Sequence, residues 1–125
     1  MNFVASLLVA DGDALCIDAG ALRVRLPEDF RARLAPYVGR EVVFGVRPED
    51  ITTAAADSEN TLAARADVVE TLGSEIFVYL SCGAHSIVAR MEMPEQPLRV
   101  GQDLKVQFKV SKTHVFDKDS LQAIV

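Results

Sequence analysis

The sequence predicts an all-β protein with one short helix, folded as a small β-barrel built from two related halves. Three observations predict this fold. Apolar and polar residues alternate with a period of two in several short segments, turn residues separate those segments, and one segment recurs later in the chain. Of the 125 residues, 50% are hydrophobic and 25% are charged, which is typical of a globular domain.

The alternation is clearest in two segments. Leu22, Val24 and Leu26 alternate with arginines, and residues 103–110 alternate in the same way between apolar side chains and lysine or glutamine. A period of two places one set of side chains on the core face of a strand and the other set in water. We therefore expect both segments to form half-buried antiparallel strands.

A further strand is apolar on both of its faces. Ile76, Val78 and Leu80 share one face, and Phe77 and Tyr79 share the other. Such a strand lies under a second layer or at an interface. Two interpretations of Phe77 and Tyr79 therefore stay open, packing within the protein and contact with another subunit.

One segment has the features of a helix. Pro27 suits a first helical turn, Glu28 and Asp29 suit a helix N-terminus, and Phe30 with Leu34 forms an apolar pair four residues apart. The sequence therefore predicts the short helix at residues 27–35. Turn residues separate the predicted strands at Asp11-Gly12, Ala19-Gly20, Cys82-Gly83 and residues 117–120.

A weak internal repeat divides the chain. Residues 38–44 line up with residues 100–106, and each copy begins with Val-Gly and follows a proline-containing crossover. We expect a first half at residues 1–53, a small polar linker at residues 54–60 and a second half at residues 61–125, packed together as one body. Two copies of a β-unit can close on each other and so remove exposed sheet edges.

Composition excludes several classes of protein. The formal net charge is −5, from 13 basic and 18 acidic residues, which disfavours binding to a phosphate backbone. No apolar run approaches the roughly 20 residues of a membrane span, and we expect no secretory signal. Cys16 and Cys82 lie in apolar segments, so we interpret them as buried reduced thiols, with a disulfide as the alternative.

The sequence predicts no catalytic, cofactor-binding or metal-ligating residue. It has neither a phosphate-binding loop nor a dinucleotide-binding glycine pattern. His85 and His114 lack the spacing of metal ligands or of a catalytic base, and we interpret both as turn or strand-end residues. Pairs of carboxylates fall in turns or crossovers, where we expect them to stay solvated rather than act in acid–base catalysis: Glu28 with Asp29, Glu49 with Asp50, and Asp117 with Asp119.

Several motifs, in order, carry a resemblance to a known family. Residues 44–51 read Phe-Gly-Val-Arg-Pro-Glu-Asp-Ile, and residues 69–80 contain Val-Glu-Thr-Leu-Gly-Ser-Glu; Pro-Leu-Arg-Val-Gly-Gln at 97–102 and His-Val-Phe-Asp at 114–117 follow. Together they resemble the C-terminal regulatory domain of the ATP-binding subunits of ABC importers of the maltose and glycerol-phosphate class. This domain is called TOBE or MOP-like.

The resemblance implies an OB-like or MOP-like barrel that joins two ATPase subunits into a homodimer and, in some members, receives regulatory signals. The residues that would bind ATP and magnesium belong to an ATPase domain absent from these residues, as do the contacts to membrane permease subunits. It also implies a cytoplasmic protein, peripheral on the inner face of the membrane, with no nucleic acid as partner. The family motif residues, with a structural or regulatory role, are Gly45, Arg47, Pro48, Glu49, Asp50, Gly73, Ser74 and Glu75.

Two questions stay open at this stage. Phe77 or Tyr79 would serve as the dimer contact, if these side chains do not belong to the core. The alternative function is a small oxyanion-binding module of the molybdate type, in which Ser111, Lys112 and backbone amides would hold the anion. A nucleic-acid-binding barrel is disfavoured by the net negative charge and by the lack of a stacking platform.

Overall fold

The computed structural model describes residues 1–54 and 60–125, so that 55–59, most of the predicted linker, lie outside the described residues. The first half of the chain forms the strands β1 (Asn2–Asp11), β2 (Ala14–Asp18), β3 (Arg23–Arg25), β4 (Glu41–Val46) and β5 (Ile51–Thr53). The second half forms β6 (Thr61–Leu72), β7 (Glu75–Cys82), β8 (His85–Glu92), β9 (Asp103–Phe108) and β10 (His114–Asp117). The predicted all-β class is confirmed.

The one α-helix, among the described residues, is the short α1 (Arg31–Leu34), flanked by 3-10 turns at Glu28–Phe30 and Ala35–Tyr37. Leu34 is fully buried in the core and Phe30 packs against it. The predicted helix is therefore present, but only Arg31–Leu34 has α-helical geometry. Proline at position 36 has no N–H to donate, so the α-helix cannot continue through the last turn.

The ten strands of the described residues form two antiparallel sheets with the same arrangement. The first sheet has the order β10-β4-β1-β2-β3, and the second has the order β5-β9-β6-β7-β8. Each half therefore lends its last strand to the sheet of the other half, since β5 pairs with β9 and β10 pairs with β4. The sheets thus cross the division predicted near residue 54. The second sheet curls, so that its edge strand β8 lies against β5 at the opposite edge.

The two halves repeat at the level of individual hydrogen bonds. Gly39 N–H donates to the Leu8 carbonyl over 2.7 Å, and Gly101 N–H donates to the Ala66 carbonyl over 2.6 Å. Both glycines come from the repeated Val-Gly pair and both have a positive φ, +84° and +86°, a conformation that glycine adopts without steric cost. The repeat seen in the sequence is thus a structural duplication.

The core between the sheets is mainly aliphatic. Phe44 of β4 and Phe108 of β9 stack at its centre with ring centroids 5.9 Å apart. The alternation seen in the sequence predicts the buried faces correctly, because Leu22, Val24 and Leu26 are all buried, as is the Ile76 face of β7. Burying each such side chain contributes about 1.5–3 kcal/mol. In the described ranges, no helix is long and apolar enough to cross a membrane.

Candidate functional site

The Arg-Pro-Glu-Asp motif forms the crossover between the two sheets. Strand β4 ends at Val46, and a 3-10 turn occupies Pro48–Asp50. Asp50 N–H donates to the Arg47 carbonyl over 2.9 Å, and the Asp50 carbonyl accepts a bond from Lys109 N–H, also over 2.9 Å. Asp50 is only 3% exposed, so the expectation that this carboxylate stays solvated is wrong, because its turn packs against β8. The motif therefore directs the chain out of the first sheet and into the second.

Gly45 has a different requirement from the rest of that motif. A Cβ at this position would lie 2.6 Å from Cε2 of Phe116 and 2.8 Å from the sulfur of Met1. These two side chains cross β4 at this point, and the Phe116 ring also meets the Phe3 ring edge-on with centroids 5.7 Å apart. Gly45 thus makes room for side chains that cover the outer face of the first sheet.

The outer face of the first sheet carries an apolar surface, here called the apolar face. It is formed by neighbouring positions on β1, β4 and β10, because Phe3 lies opposite Gly45 and Ala5 lies opposite Val43. Phe3 is 63% exposed. The apolar face comprises Met1, Phe3, Ala5, Leu7, Val43 and Phe116.

The fold does not require this apolar surface. The duplication allows the same positions to be compared in the two sheets. The pair Thr61–Gln107 in the second sheet is equivalent to the pair Phe3–Gly45 in the first. Arg65 is likewise equivalent to Leu7. The same positions are therefore polar in one half and apolar in the other. Sequence reasoning missed this surface, although the alternation of Phe3, Ala5 and Leu7 on the second face of β1 is its signal.

The second family motif turns the chain between β6 and β7. Gly73 has a φ of +61° in that turn, and the Ser74 carbonyl accepts a bond from Met93 N–H over 2.9 Å. The Glu75 carboxylate accepts two bonds from the Arg90 guanidinium, over 2.8 and 3.0 Å. These bonds lower the pKa of Glu75 and raise the pKa of Arg90.

Arg90 brings the two family motifs together. It pairs with Glu75 of the second motif, and the negative charge of Glu49 in the first motif also acts on it. The turn that holds Glu49 packs against β8, the strand of Arg90. Sequence reasoning did not single out Arg90, since nothing local links it to residues 15 and 41 positions earlier. Arg47 of the first motif is exposed and forms no ion pair with Glu49 or Asp50 among the described residues.

The outward side chains of β6, β7 and β8 form a second uncovered surface, here called the hairpin face. Its centre consists of Val68, Phe77, Tyr79 and Val88, and its border carries Asp67, Glu70, Glu75, Arg90 and Glu92. Tyr79 is 38% exposed, Phe77 is half-buried, and neither belongs to the hydrophobic core.

The histidines and clefts show no reactive arrangement. His85 Nε2 lies 2.6 Å from the Ala19 carbonyl and His114 Nδ1 lies 3.1 Å from the Val125 carbonyl, so both rings make structural contacts. Two open clefts of about 410 and 460 Å³ occupy equivalent places in the two halves, beside β6 and beside β1. Residues 1–54 and 60–125 hold no group of three or more His, Cys, Asp or Glu side chains that could bind a metal.

Comparison of the sequence with known families gives two matches, which together cover most of the chain. Residues 1–51 match the family described as the MalK OB fold domain, and residues 44–116 match the family described as the TOBE domain. The chain belongs to the TOBE domain family. The two matches overlap at the crossover motif, and they confirm both the resemblance drawn from the motifs and the OB-like fold.

Two curated relatives cover almost the whole of this TOBE domain. The trehalose/maltose import ATP-binding protein MalK of Thermococcus litoralis is 37% identical over 99% of the chain and 34% of its own length. The oligosaccharides import ATP-binding protein MsmX of Bacillus subtilis is 32% identical over 96% of the chain and 33% of its own length. The chain therefore spans about a third of the curated relatives it matches.

A solved structure shows the same fold at low sequence identity. The cytoplasmic molybdate-binding protein ModG superposes with a TM-score of 0.66 at 18% identity, over 91% of this chain and 94% of that one. At this level of sequence identity, the likeness supports the fold of the TOBE domain and nothing about its function.

Proposed function

We propose that this TOBE domain is the non-catalytic regulatory and dimerisation domain of the ATP-binding subunit of an ABC importer for sugars or related solutes. Its family membership and its sugar-importer relatives support the class of parent protein. In this proposal the parent chain is a transport ATPase that binds ATP and magnesium in a separate domain. That domain contacts the membrane permease subunits on the cytoplasmic side of the membrane.

The apolar face is the observation that carries the dimerisation role. Phe3 and Leu7 are exposed, and Phe116 is half-buried beside them, on a face whose counterpart in the other half is polar. Contacts between identical subunits are more apolar than the rest of a protein surface. A two-fold contact through this face brings its apolar side chains against the same side chains of the second copy. The charged Glu41 and Lys118 at its border pair with each other, so neither enters that contact as an unpaired charge.

The mass of the chain in solution tests this role. Light scattering coupled to size-exclusion chromatography is expected to show a concentration-dependent dimer, and Phe3→Asp is expected to shift it to the monomer. Val100→Asp is the matched control, because Val100 is 69% exposed but lies outside the apolar face. A wild-type chain that stays monomeric at millimolar concentration would contradict dimerisation by this domain. Measurable ATP hydrolysis by the purified chain would contradict its non-catalytic role.

The oxyanion-binding alternative is the weaker candidate. Ser111 and Lys112 are exposed and lie in a 3-10 turn of three residues, so no buried donor is aimed at an anion there. A regulatory domain should bind neither molybdate, tungstate nor sulfate in a calorimetric titration. Saturable binding of any of the three would favour the alternative.

A further inference from the structure

The hairpin face is an aromatic surface without a cover in the described structure. Across its three strands, Val68 lies opposite Tyr79, and Tyr79 lies opposite Val88. On the next row Phe77 lies between Glu70 and Arg90. The inward neighbours on β7 fill the core, so the outward aromatic side chains contribute nothing to it.

The duplication shows that the fold does not need aromatic residues at these positions. In the first half, Leu8 lies opposite Ile17, and in the second half the equivalent pair is Ala66 and Leu80. Ile17 of β2 is therefore equivalent to Leu80 of β7, and the residues just before them, Cys16 and Tyr79, are equivalent as well. Cys16 is only 3% exposed. The second half thus presents a large exposed side chain where the first half has a small buried one.

Carboxylates surround this aromatic centre. Glu70 and Glu92 are exposed on β6 and β8, and neither forms an ion pair within the described ranges. Asp67 accepts a bond from the Ser81 hydroxyl, over 3.3 Å. The guanidinium of Arg90 is already held by Glu75. The residues that define the face therefore carry a net negative charge.

This charge distribution argues against a second copy of the same face as the occupant. In a two-fold contact each side meets its own image, so the carboxylates of one copy would face those of the other. Like charges brought together in this way cost several kcal/mol in an interface. At the border of the apolar face, by contrast, the carboxylate of Glu41 is paired with Lys118.

We propose that the hairpin face binds a different protein, through a surface on which arginine or lysine side chains surround an apolar centre. This inference goes beyond dimerisation and does not depend on it. Phe77 and Tyr79 supply the buried contact area, as aromatic residues do at the centre of interfaces. Glu70, Glu92 and Asp67 pair with the cations of the partner, which makes the association sensitive to salt.

A defined peptide probe tests the chemistry of the surface. The ¹⁵N-labelled chain is titrated with a capped peptide of sequence Arg-Leu-Arg-Trp-Arg-Leu-Arg and, separately, with Ser-Leu-Ser-Trp-Ser-Leu-Ser and hepta-arginine. Amide shifts are expected within residues 67–92, with the cationic apolar peptide binding at least fivefold more tightly than either comparison peptide. Shifts elsewhere, or equal binding of hepta-arginine, would overturn the proposal.

Variants separate the charges from the aromatic centre. Glu70→Gln with Glu92→Gln is expected to weaken binding at least fivefold, as is Tyr79→Ser. Glu28→Gln with Asp29→Asn is the matched control, because it removes two exposed carboxylates from the turn before α1 and should leave binding unchanged. Equal weakening by the control pair would reduce the effect to net charge and overturn the proposal.

The oligomeric state distinguishes this surface from the dimer contact. Tyr79→Ser should leave the mass measured by light scattering equal to that of the wild type, whereas Phe3→Asp lowers it. Loss of the dimer in Tyr79→Ser would show that the hairpin face is a contact between copies and would overturn the proposal. The peptide titration stays informative even if the wild-type chain is a monomer.

Discussion

The side-chain amide of Asn2 hydrogen-bonds both backbone polar groups of Val88. Val88 N–H donates to Asn2 Oδ1 over 2.8 Å, and Asn2 Nδ2 donates to the Val88 carbonyl over 2.9 Å. The same amide nitrogen reaches the Val46 carbonyl over 3.2 Å. These hydrogen bonds connect the first residue of β1, in the first sheet, to β8, an edge strand of the second sheet.

Asn60, just before β6 of the second sheet, makes the equivalent contact with β3 of the first sheet. Arg25 N–H donates to Asn60 Oδ1 over 2.8 Å, and Asn60 Nδ2 donates to the Arg25 carbonyl over 3.2 Å. Asn2 and Asn60 stand at the start of the equivalent strands β1 and β6, and β3, like β8, is an edge strand. Each asparagine therefore satisfies backbone groups that an edge strand leaves unpaired.

Removal of either amide should destabilise the fold, and removal of Asn2 should cost more. Its bonds are partly buried, so Asn2→Ala leaves partly buried polar groups of Val88 without this partner, at about 1–3 kcal/mol. The bonds of Asn60 are exposed, and Asn60→Ala should cost about 0.5–1.5 kcal/mol. Urea unfolding measures both as a lower midpoint at unchanged slope.

Gln96→Ala is the control for this pair, because Gln96 is an exposed amide on the crossover before β9. It should change the midpoint by less than either variant. A midpoint for Asn2→Ala equal to that of the control would contradict a stabilising role for the contact with Val88.

Gly83→Ala should cost more than Gly12→Ala although the backbone is the same. The two glycines have φ angles of +59° and +60°, but a Cβ at Gly83 would lie 2.5 Å from Cβ of Ala21, whereas Gly12 has open space. We expect about 1–2 kcal/mol for Gly12→Ala from the backbone alone. For Gly83→Ala we expect roughly 1–3 kcal/mol more from the clash.

A double-mutant cycle checks the cause of the difference. Ala21→Gly in the Gly83→Ala background should recover the excess cost in thermal or urea unfolding, and it should not help Gly12→Ala. No recovery would mean that the turns at residues 21 and 83 relax away from each other.

Acid should destabilise the protein partly through the Glu75–Arg90 pair. The bonds from Arg90 lower the pKa of Glu75 in the folded state, so its contribution is present above the pKa of an unfolded glutamate, about 4.3. That contribution is lost as pH falls through the lower folded pKa. We expect urea midpoints of the wild type and Glu75→Gln to converge below about pH 4.

Salt provides the check on this pair. Both side chains are solvent-exposed at the pair, so 0.5 M NaCl should shrink the pH-dependent difference between the wild type and Glu75→Gln. A difference that grows on acidification would contradict the sign of the effect.

Both cysteines should be slow to react in the folded chain. Cys16 and Cys82 are buried free thiols, and burial raises the pKa of the Cys82 thiol. The thiolate is the form that attacks a disulfide reagent. Burial hides both thiols from the reagent, and the raised pKa also lowers the thiolate fraction of Cys82. Titration with dithionitrobenzoate at pH 8 should release little colour from the native chain and two equivalents in 8 M urea. Rapid reaction of one thiol without urea would contradict this burial.

The sequence by itself determined the local features of this protein. Strict alternation placed Val24 and Val78 on core faces, because a strand turns successive side chains to opposite sides. The Val-Gly repeat identified the duplication, since both Gly39 and Gly101 need a positive φ at the same point of each half. The motifs at residues 44–51 and 69–80, taken in order with those that follow, identified the family.

Only the tertiary structure decided how the halves combine and which surfaces stay open. The reciprocal exchange of β5 and β10, the contact of Asn2 with Val88 and the pairing of Arg90 with Glu75 all depend on which strands lie side by side and in which register. Local patterns fix the period of a strand but not its distant partner. The apolar face follows from the same cause, because it joins Phe3 to Phe116 across strands from opposite ends of the chain.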